Sequence, residues 1–374
     1  MSRALDLFLE LAAVPSPPGS ERAVADRVLA ELRDLGLDAT EDDAGERIRG
    51  DTGNILARLP ATDPAADGSG TSIFLCAHLD TVPPTDDIEP VVDHGVVRNA
   101  RPTILGADDK SAVATLLAAA RRLLKENRPH AGLELLFTPK EEVGLEGAKE
   151  VDLAALESPI GFVYDHAGPI GEVVLAAPSS TSIDARFTGR AAHAGMHPEE
   201  GRSAIAAAAH AIADLRLGRL DEDTTANVGT IAGGTARNIV PEHCVVVAEA
   251  RSHDERKLAD LVQEMTDSFT FAASVAECEV EIELDDKYRA YRFREDDLPI
   301  RLAFEALSAS GFEPRGVRAG GGADGNVFTA RGRPCVNLAN GMTRIHSADE
   351  HIAVADLDAM VEVTLALLDA ARRA

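Results

Sequence analysis

The chain has 374 residues, of which 45% are hydrophobic, and a formal net charge of -26 at pH 7. A chain of this length buries a large core and suggests two domains, and its negative charge argues against nucleic acid and anionic membranes as partners. No apolar run reaches the roughly eighteen residues of a transmembrane helix, and Asp6 and Glu10 interrupt any signal-peptide core, so we expect a cytoplasmic protein.

The first part of the chain alternates predicted helices and strands. Helices are predicted at residues 3–12, at residues 20–35 with Ser20 as the N-cap, and at residues 110–125. Apolar runs that predict strands lie at residues 73–76, 133–137, 161–164 and 335–338. This alternation predicts an α/β fold with a mixed β-sheet flanked by helices. Residues 62–70 have the composition of a flexible surface loop.

After Pro178 the pattern changes to strands with alternating polar and apolar residues and two further helices. The strands are predicted at residues 182–188, 227–231, 244–251 and 279–284, and the helices at residues 203–215 and 255–271. Their order is β-α-β-β-α-β, the split ferredoxin-like motif. We therefore predict an inserted domain at residues 179–290, between two parts of a larger domain at residues 1–178 and 291–374.

The last part of the chain is predicted to resume the larger domain. A helix is predicted from about residue 296 and a closing helix at residues 354–371. The glycine-rich segment AGGGADGNVF between them is not interpreted as a nucleotide-binding loop, because no GxxxxGKS, GxxxxGKT or GxGxxG pattern follows a predicted strand there. We interpret it as a loop near the functional site, in which Asp324 and Asn326 cap a helix or support the site.

Five side chains of metal-binding type stand at the ends of apolar runs: His78, Asp108, Glu142, Asp165 and His346. Ligands of open α/β sheets bind beyond the carboxyl ends of the strands, so strands that end in such residues indicate one shared site. A single histidine or carboxylate is more often structural, but the joint occurrence favours a metal site. Two histidines and three carboxylates are enough to hold two divalent metals.

Eight segments, in chain order, resemble the co-catalytic zinc exopeptidase family of the peptidase T, carboxypeptidase G and acetylornithine deacetylase type. They are AHLDTV, LGADDKSAVA, FTPKEEVGLEGAK, HAGMHPEEGRSAI, ARNIVPE, EARSHD, GGGADGNVF and IHSADEHI, and together they span most of the chain. The GADDK, ARSHD and GGADGN forms resemble the peptidase T-like branch more than the deacetylases. The resemblance implies a zinc exopeptidase-like catalytic domain, a ferredoxin-like lid domain and a homodimer formed through the lid.

The resemblance also implies a division of the metal ligands. His78 and Asp165 would bind one Zn²⁺, Glu142 and His346 the other, and Asp108 would bridge both, although such carboxylate-rich sites also accept Co²⁺ or Mn²⁺. In this family the peptide bond that follows the bridging aspartate is typically cis.

Further roles follow from the same resemblance. Asp80 would accept the imidazole N–H of His78, or alternatively cap the turn that follows it. Glu141 would be the general base, while a metal-bound hydroxide attacks the amide bond. His193, reaching from the partner subunit, would stabilise the oxyanion. Asn238 and Arg251 would contact substrate, and Arg251 suits a terminal carboxylate. Alternatively, Arg251 is a surface residue paired with Asp254 or Glu255.

The leading prediction is a cytoplasmic, homodimeric exopeptidase that acts on di- and tripeptides. An N-acyl-amino-acid amidohydrolase with the same site is the alternative, and a non-catalytic binding protein that keeps the fold is the remote one. His166 follows Asp165 where relatives of peptidase T commonly have small residues, and it could bind metal, contact substrate or point away. His197, His210 and His243 are interpreted as structural or solvent-exposed.

Overall fold

In the computed structural model, which describes residues 3–62 and 70–374, helices and strands alternate as the sequence patterns predict. The chain divides into two units. Unit 1 runs up to Ala176 and from Arg292 to Ala374, and unit 2 comprises Ala177–Tyr291. Most of the loop predicted at residues 62–70 lies outside the described residues. Among the described helices, none combines the length and apolar character needed to cross a bilayer.

The helices, in chain order, are α1 (Arg3–Ala12), α2 (Arg22–Asp34), α3 (Ala44–Arg47), α4 (Ala107–Lys125), α5 (Glu146–Glu150), α6 (Ala204–Asp214), α7 (Glu255–Val275), α8 (Leu298–Ala309), α9 (Asp324–Ala330) and α10 (Val354–Arg372). The strands are β1 (Ala39–Glu41), β2 (Ile55–Leu59), β3 (Ile73–His78), β4 (Pro90–Asp93), β5 (Val96–Asn99), β6 (Leu133–Thr138), β7 (Ile160–His166), β8 (Glu172–Ala177), β9 (Ser179–Thr188), β10 (Gly218–Arg219), β11 (Thr224–Gly233), β12 (His243–Ser252), β13 (Glu279–Tyr288), β14 (Tyr291–Arg292), β15 (Arg315–Arg318), β16 (Cys335–Ala339) and β17 (His351–Ala353).

The main sheet has the strand order β1-β2-β6-β3-β7-β16-β8-β14, with β15 beside β8. Its central strands β6, β3, β7 and β16 are parallel. The pairs β1–β2, β2–β6 and β8–β16 are antiparallel, whereas β15 is parallel to β8. Every residue of β3 and β6 is buried, as expected for parallel strands covered on both faces. The predicted mixed sheet flanked by helices is confirmed, and the carboxyl ends of its four central strands lie at one edge.

Close packing between two of these strands depends on a glycine. Gly161 of β7 pairs with Phe74 of β3, and a Cβ atom at position 161 would lie 2.1 Å from the Phe74 ring. The Phe74 ring also contacts Phe328 edge-on, with ring centroids 5.2 Å apart. Any larger residue at position 161 would therefore displace a buried aromatic side chain directly below the functional edge of the sheet.

Two predictions at helix starts are wrong. The N-cap of α2 is Glu21 and not Ser20, and the Glu21 side chain makes no capping hydrogen bond. Its buried carboxylate instead accepts the backbone N–H groups of Gly19 and Lys140, at 2.8 and 3.1 Å. The segment AGGGADGNVF is not wholly a loop, since α9 begins at Asp324. Within it, Asn326 Oδ1 accepts the N–H of Ala323 at 3.1 Å, so the capping role predicted for Asn326 is confirmed.

Unit 2 has the predicted β-α-β-β-α-β order in β9, α6, β11, β12, α7 and β13, with the short β10 added. Its antiparallel sheet has the order β10-β11-β12-β9-β13. One face of this sheet is buried, as shown by the alternating burial along β12. The alanine face of α6 and the apolar face of α7 cover it, with Phe187 and Phe269 in edge-to-face contact. The buried residues that alternate along the strands pack against the apolar faces of the two helices. Unit 2 therefore has a hydrophobic core of its own.

Candidate metal centre

Two groups of side chains in unit 1 could each hold a metal ion, and one residue belongs to both. His78, Asp108 and Asp165 form the first group, and Asp108, Glu142 and His346 form the second. Within each group, the candidate ligand atoms lie within 4.8 Å of one another. The five residues that the sequence selects are thus brought together. Oxygen and imidazole ligands around a shared carboxylate have the chemistry that divalent transition metals prefer.

The two oxygens of Asp108 face different histidines. Its Oδ1 lies 3.0 Å from Nε2 of His78, and its Oδ2 lies 3.2 Å from Nε2 of His346. The same two nitrogens lie 4.0 Å from Oδ1 of Asp165 and 3.0 Å from Oε1 of Glu142, respectively. A carboxylate that divides its two oxygens between two ligand sets has the arrangement of a bridging ligand.

The edge of the main sheet positions these side chains. His78 is the last residue of β3, Asp165 is the penultimate residue of β7, and Glu142 lies in the loop that follows β6. Asp108 stands at the start of α4, where its backbone is not helical and its peptide bond to Asp109 is cis, as the family resemblance implies. The parallel strands thus carry ligands from distant parts of the chain to one edge.

Asp80 connects two parts of the site. The Nδ1 atom of His78 lies 2.9 Å from the backbone oxygen of Asp80 and 3.5 Å from its carboxylate Oδ1. The closest acceptor for the imidazole is therefore the backbone carbonyl of Asp80. The carboxylate instead accepts the backbone N–H groups of Glu141 and Glu142, at 2.9 and 3.1 Å. Asp80 therefore orients the first histidine and fixes the loop that carries both glutamates.

Charge crowding changes the proton affinity of the five side chains when no cation is bound. Burial lowers the pKa of His78, but hydrogen bonds with Asp108 and Asp80 outweigh it and raise the pKa well above its ordinary value. Hydrogen bonds with Asp108 and Glu142 raise the pKa of His346 to about 10. Burial and repulsion by Asp108 raise the pKa of Asp165. The cluster therefore retains protons that divalent cations would displace on binding.

Glu141 belongs to neither group of candidate ligands among the described residues. Its side chain is buried, and its backbone is held by Asp80. Burial is the main cause that raises the pKa of Glu141 well above its ordinary value; the charge of His78 opposes the shift, and those of Asp324, Glu142 and Asp80 add to it. A carboxyl group that binds a proton readily beside a metal centre can act as a base and then as an acid.

Sequence reasoning missed two polar residues that hold the backbone of the site. Asn337 accepts the N–H of Asp165 through Oδ1 and donates to its carbonyl through Nδ2, both at 3.0 Å. The carboxylate of Glu350 accepts three backbone N–H groups in the segment that leads to Asp108. Asn337 is the polar residue within the apolar run CVNLA. A polar residue in such a run needs hydrogen-bond partners, and this could have drawn attention to it. Glu350 is one of 63 acidic residues and offered no local sign of burial.

The remaining histidines and the glycine-rich segment lie outside the two groups of candidate ligands. His166 points its Nε2 to Oε2 of Glu172, at 3.2 Å. The three histidines interpreted as structural or exposed are exposed: His197, His210 and His243. Asp324 is buried and accepts a hydrogen bond from Thr138 Oγ1 at 2.5 Å. Asp324 thus joins α9 to the strand that precedes the two glutamates.

Unit 2 brings two of its three predicted substrate-side residues together. The exposed His193 and Asn238 lie on neighbouring segments, which are joined by a hydrogen bond of 3.0 Å from the Ala194 N–H to the Asn238 carbonyl. Arg251 lies on β12, is half-buried and pairs with Glu249 at 2.9 Å. Arg251 and Glu249 are two residues apart on one strand and therefore share a face. The alternative pairing of Arg251 with Asp254 or Glu255 stays a prediction.

Comparison with known proteins gives consistent results. The model of Peptidase family M20/M25/M40 matches residues 74–370. YqjE, an uncharacterized protein of Bacillus subtilis, is 35% identical over 371 residues, which are 99% of each chain. A tripeptidase structure from Staphylococcus aureus superposes with a TM-score of 0.90 at 32% identity, covering 100% of this chain and 98% of that one. An aminopeptidase PepT structure from Bacillus cereus has a TM-score of 0.84 at 37% identity, with 99% and 98% covered.

Proposed function

The chain belongs to peptidase family M20/M25/M40, and we propose that this exopeptidase uses two divalent metal ions to hydrolyse short peptides, di- and tripeptides in particular. The observation that carries the proposal is the shared position of Asp108 between two groups of candidate ligands. The similarity to a tripeptidase and to an aminopeptidase at more than 30% identity supports the substrate class.

Each of the five side chains has a role in holding the metals. His78 and Asp165 would hold one ion, Glu142 and His346 would hold the other, and Asp108 would contribute to both. Zinc is the family expectation, and cobalt or manganese also suits this set of ligands. When bound, the two ions supply Lewis-acid polarisation of the scissile carbonyl and acidify a water molecule.

The proton transfers belong to Glu141. Its carboxylate takes a proton from the attacking water as the new C–O bond forms at the carbonyl carbon. It then delivers this proton to the amide nitrogen, the C–N bond breaks, and the carbonyl re-forms as the amine departs. Two features support this role: Glu141 is adjacent to the ligand Glu142 without belonging to either ligand group, and Asp80 holds its backbone. Asp80 thereby acts as a positioning residue for both His78 and Glu141.

His193 is suited to stabilise the oxyanion that forms on the substrate carbonyl. Its Nδ1 accepts the N–H groups of Gly195 and Met196, at 3.2 and 3.1 Å. A neutral imidazole with an accepting Nδ1 carries its proton on Nε2, which is then a hydrogen-bond donor. Asn238 on the neighbouring segment and Arg251 on β12 are proposed to contact the rest of the peptide, Arg251 through a carboxylate.

A homodimer formed through unit 2 completes the proposal. The edge of β11 beyond Ala226 has no strand beside it within the described chain. Ile231 on this strand, Ile205 on α6 and Ile239 are 48%, 37% and 41% exposed. An open strand edge with apolar residues beside it suits pairing with a second copy. Sedimentation should give the mass of a dimer, and Ile231→Asp should shift it to the monomer; a monomeric wild-type chain would contradict this part of the proposal.

The substrate class is tested with the purified protein. We expect metal analysis to find about two divalent ions per chain. With Zn²⁺, Co²⁺ or Mn²⁺ present, we expect hydrolysis of di- and tripeptides but not of N-acetylated amino acids. Turnover of acylated amino acids alone would make the chain an amidohydrolase instead. Full peptide hydrolysis after removal of all metal would refute the two-metal mechanism.

A further inference from the structure

Glu350 is a buried carboxylate that touches the centre only through the backbone. It is 2% exposed. Its Oε2 accepts the N–H groups of Leu105 and Gly106, at 2.8 and 2.9 Å, and its Oε1 accepts the N–H of Asp108 at 3.0 Å. One side chain thus satisfies three backbone donors in the segment that ends at the bridging residue. A carboxylate with both oxygens engaged by fixed N–H groups is held in a single orientation.

The segment that Glu350 holds requires such support. Residues 104–108 are buried, so their backbone N–H groups have no access to water. Gly106 has a φ of 75°, in the left-handed region, and the helical conformation of α4 is not reached until after Asp109. The donors of this segment therefore have no helical acceptors, and a side chain from elsewhere must accept their hydrogen bonds.

Glu350 also shares a closed loop with His346. The backbones of Thr343 and His351 exchange hydrogen bonds of 3.0 and 3.1 Å, which tie the two ends of the loop together. Inside it, the Glu350 N–H donates to the Ser347 carbonyl at 3.1 Å. One loop thus supplies a candidate ligand through His346 and holds the backbone of Asp108 through Glu350.

We propose that Glu350 is a positioning residue that sets the distance between Asp108 and His346. Through this distance it sets the affinity of the site for the metal ion that Glu142 and His346 are proposed to hold. The inference rests on the two-metal centre proposed above. Glu350 fixes the backbone of Asp108 from the loop that carries His346, so the 3.2 Å separation between Oδ2 and Nε2 is built into one hydrogen-bonded unit. Without that connection, each segment would adopt its own position and the bridging geometry would be lost.

The test is a cobalt titration of the metal-free protein. Glu350→Gln keeps the shape, but its amide nitrogen faces either the N–H of Asp108 or those of Leu105 and Gly106. We expect the dissociation constant of one of the two Co²⁺ ions to increase by about 10–100-fold. The visible absorption of that ion should change as its coordination changes. Glu350→Asp keeps both acceptor oxygens on a shorter side chain, so its affinity should lie between those of Glu350→Gln and the wild type.

A matched control is available in the same unit. Glu134 is also a buried glutamate whose carboxylate accepts two backbone N–H groups, from Glu157 and Ser158 at 3.2 and 2.6 Å. It lies near the start of β6, roughly 13 Å of strand from Thr138, the last residue of that strand. Glu134→Gln should lower the unfolding temperature of the metal-free chain and leave the affinities for Co²⁺ unchanged.

The outcomes separate the two proposals. Wild-type affinity for both ions in Glu350→Gln overturns the positioning role while leaving the metal centre intact. An equal loss of affinity in Glu134→Gln overturns it too, because general destabilisation would then explain the effect. Failure of the wild type to bind two ions refutes the proposed centre and the positioning role with it. If Glu350→Gln does not fold, Glu350→Asp decides: unchanged affinity overturns the proposal, and weakened binding of one ion supports it.

Discussion

In unit 1, the candidate metal ligands come from segments far apart along the chain, and buried carboxylates and amides hold their backbones. In unit 2, His193 and Asn238 lie on two exposed neighbouring segments, which are held by hydrogen bonds of their own backbone N–H groups. The difference follows from the chemistry each region is proposed to perform. Metal ligands must keep fixed distances before substrate arrives, whereas groups that contact a variable peptide can adjust to it.

We expect the largest loss of activity when the proposed base in unit 1 is replaced. Glu141→Ala removes the proposed base, so kcat for a dipeptide should fall by about 10²–10⁴-fold. Metal content should stay at that of the wild type, because Glu141 belongs to neither ligand group. Glu150→Ala, further along the same segment, is the control and should keep wild-type kcat. Steady-state kinetics and metal analysis on the same samples check this, and an active Glu141→Ala enzyme would contradict the mechanism.

The next effect tests whether unit 2 contributes to the reaction. His193→Ala should lower kcat by about 10²–10³-fold, because one donor to the oxyanion is lost. His210→Ala, an exposed histidine on α6 of the same unit, should behave as the wild type. Equal behaviour of the two variants would leave unit 2 with no catalytic group.

Mixing His193→Ala with Glu141→Ala tests whether His193 acts in the site of its own chain or in that of a second copy. If His193 acts in the site of a second copy, heterodimers of the two inactive variants contain one complete site. Random exchange of subunits should then restore roughly a quarter of wild-type activity. If each chain uses its own His193, mixing should restore none.

A smaller effect tests how firmly the loops of unit 1 are held. Asp80→Asn leaves one acceptor oxygen for the N–H groups of Glu141 and Glu142, so metal affinity or kcat should fall by about 10–100-fold. Isothermal titration and kinetics measure the two quantities. Unchanged values for both would mean that the loop keeps its conformation without the carboxylate.

The smallest effect concerns stability at a buried acid outside the ligand groups. Burial raises the pKa of Glu21 from 4.5 to about 7. The native chain then holds this proton more tightly than the unfolded chain, so Glu21 makes the native state less stable as pH rises from about 4.5 to about 7. Glu21→Gln does not titrate, and its stability relative to the wild type should rise across this window by on the order of 1–3 kcal/mol.

Urea unfolding between pH 4 and pH 8 measures that difference for Glu21→Gln. Glu10→Gln, at an exposed position of α1, is the control and should follow the wild type at every pH. A constant difference between Glu21→Gln and the wild type over the whole range would show that Glu21 has no linked proton.

Much of the fold was predictable because the spacing of apolar residues along the chain indicates helices and strands locally. α1 agrees with its prediction at both ends, and the strands that carry ligands agree within a few residues. Local patterns failed at Ser20: the N-cap position falls on Glu21, whose carboxylate accepts the N–H of Lys140, more than a hundred residues away. They also gave no warning of the short strands β4, β5 and β17: β4 and β5 form a local hairpin, and β17 pairs with β5 from a distant part of the chain.

The sequence by itself determined the types of the candidate ligands and the strands that carry them, because residue chemistry and apolar periodicity are local properties. Only the tertiary structure decided which oxygen of Asp108 faces which histidine, and that the Asp80 carboxylate holds the glutamate loop. It also decided that Glu350 and Asn337 support the centre. Hydrogen bonds depend on distances through space, and those distances are set by how the whole chain packs.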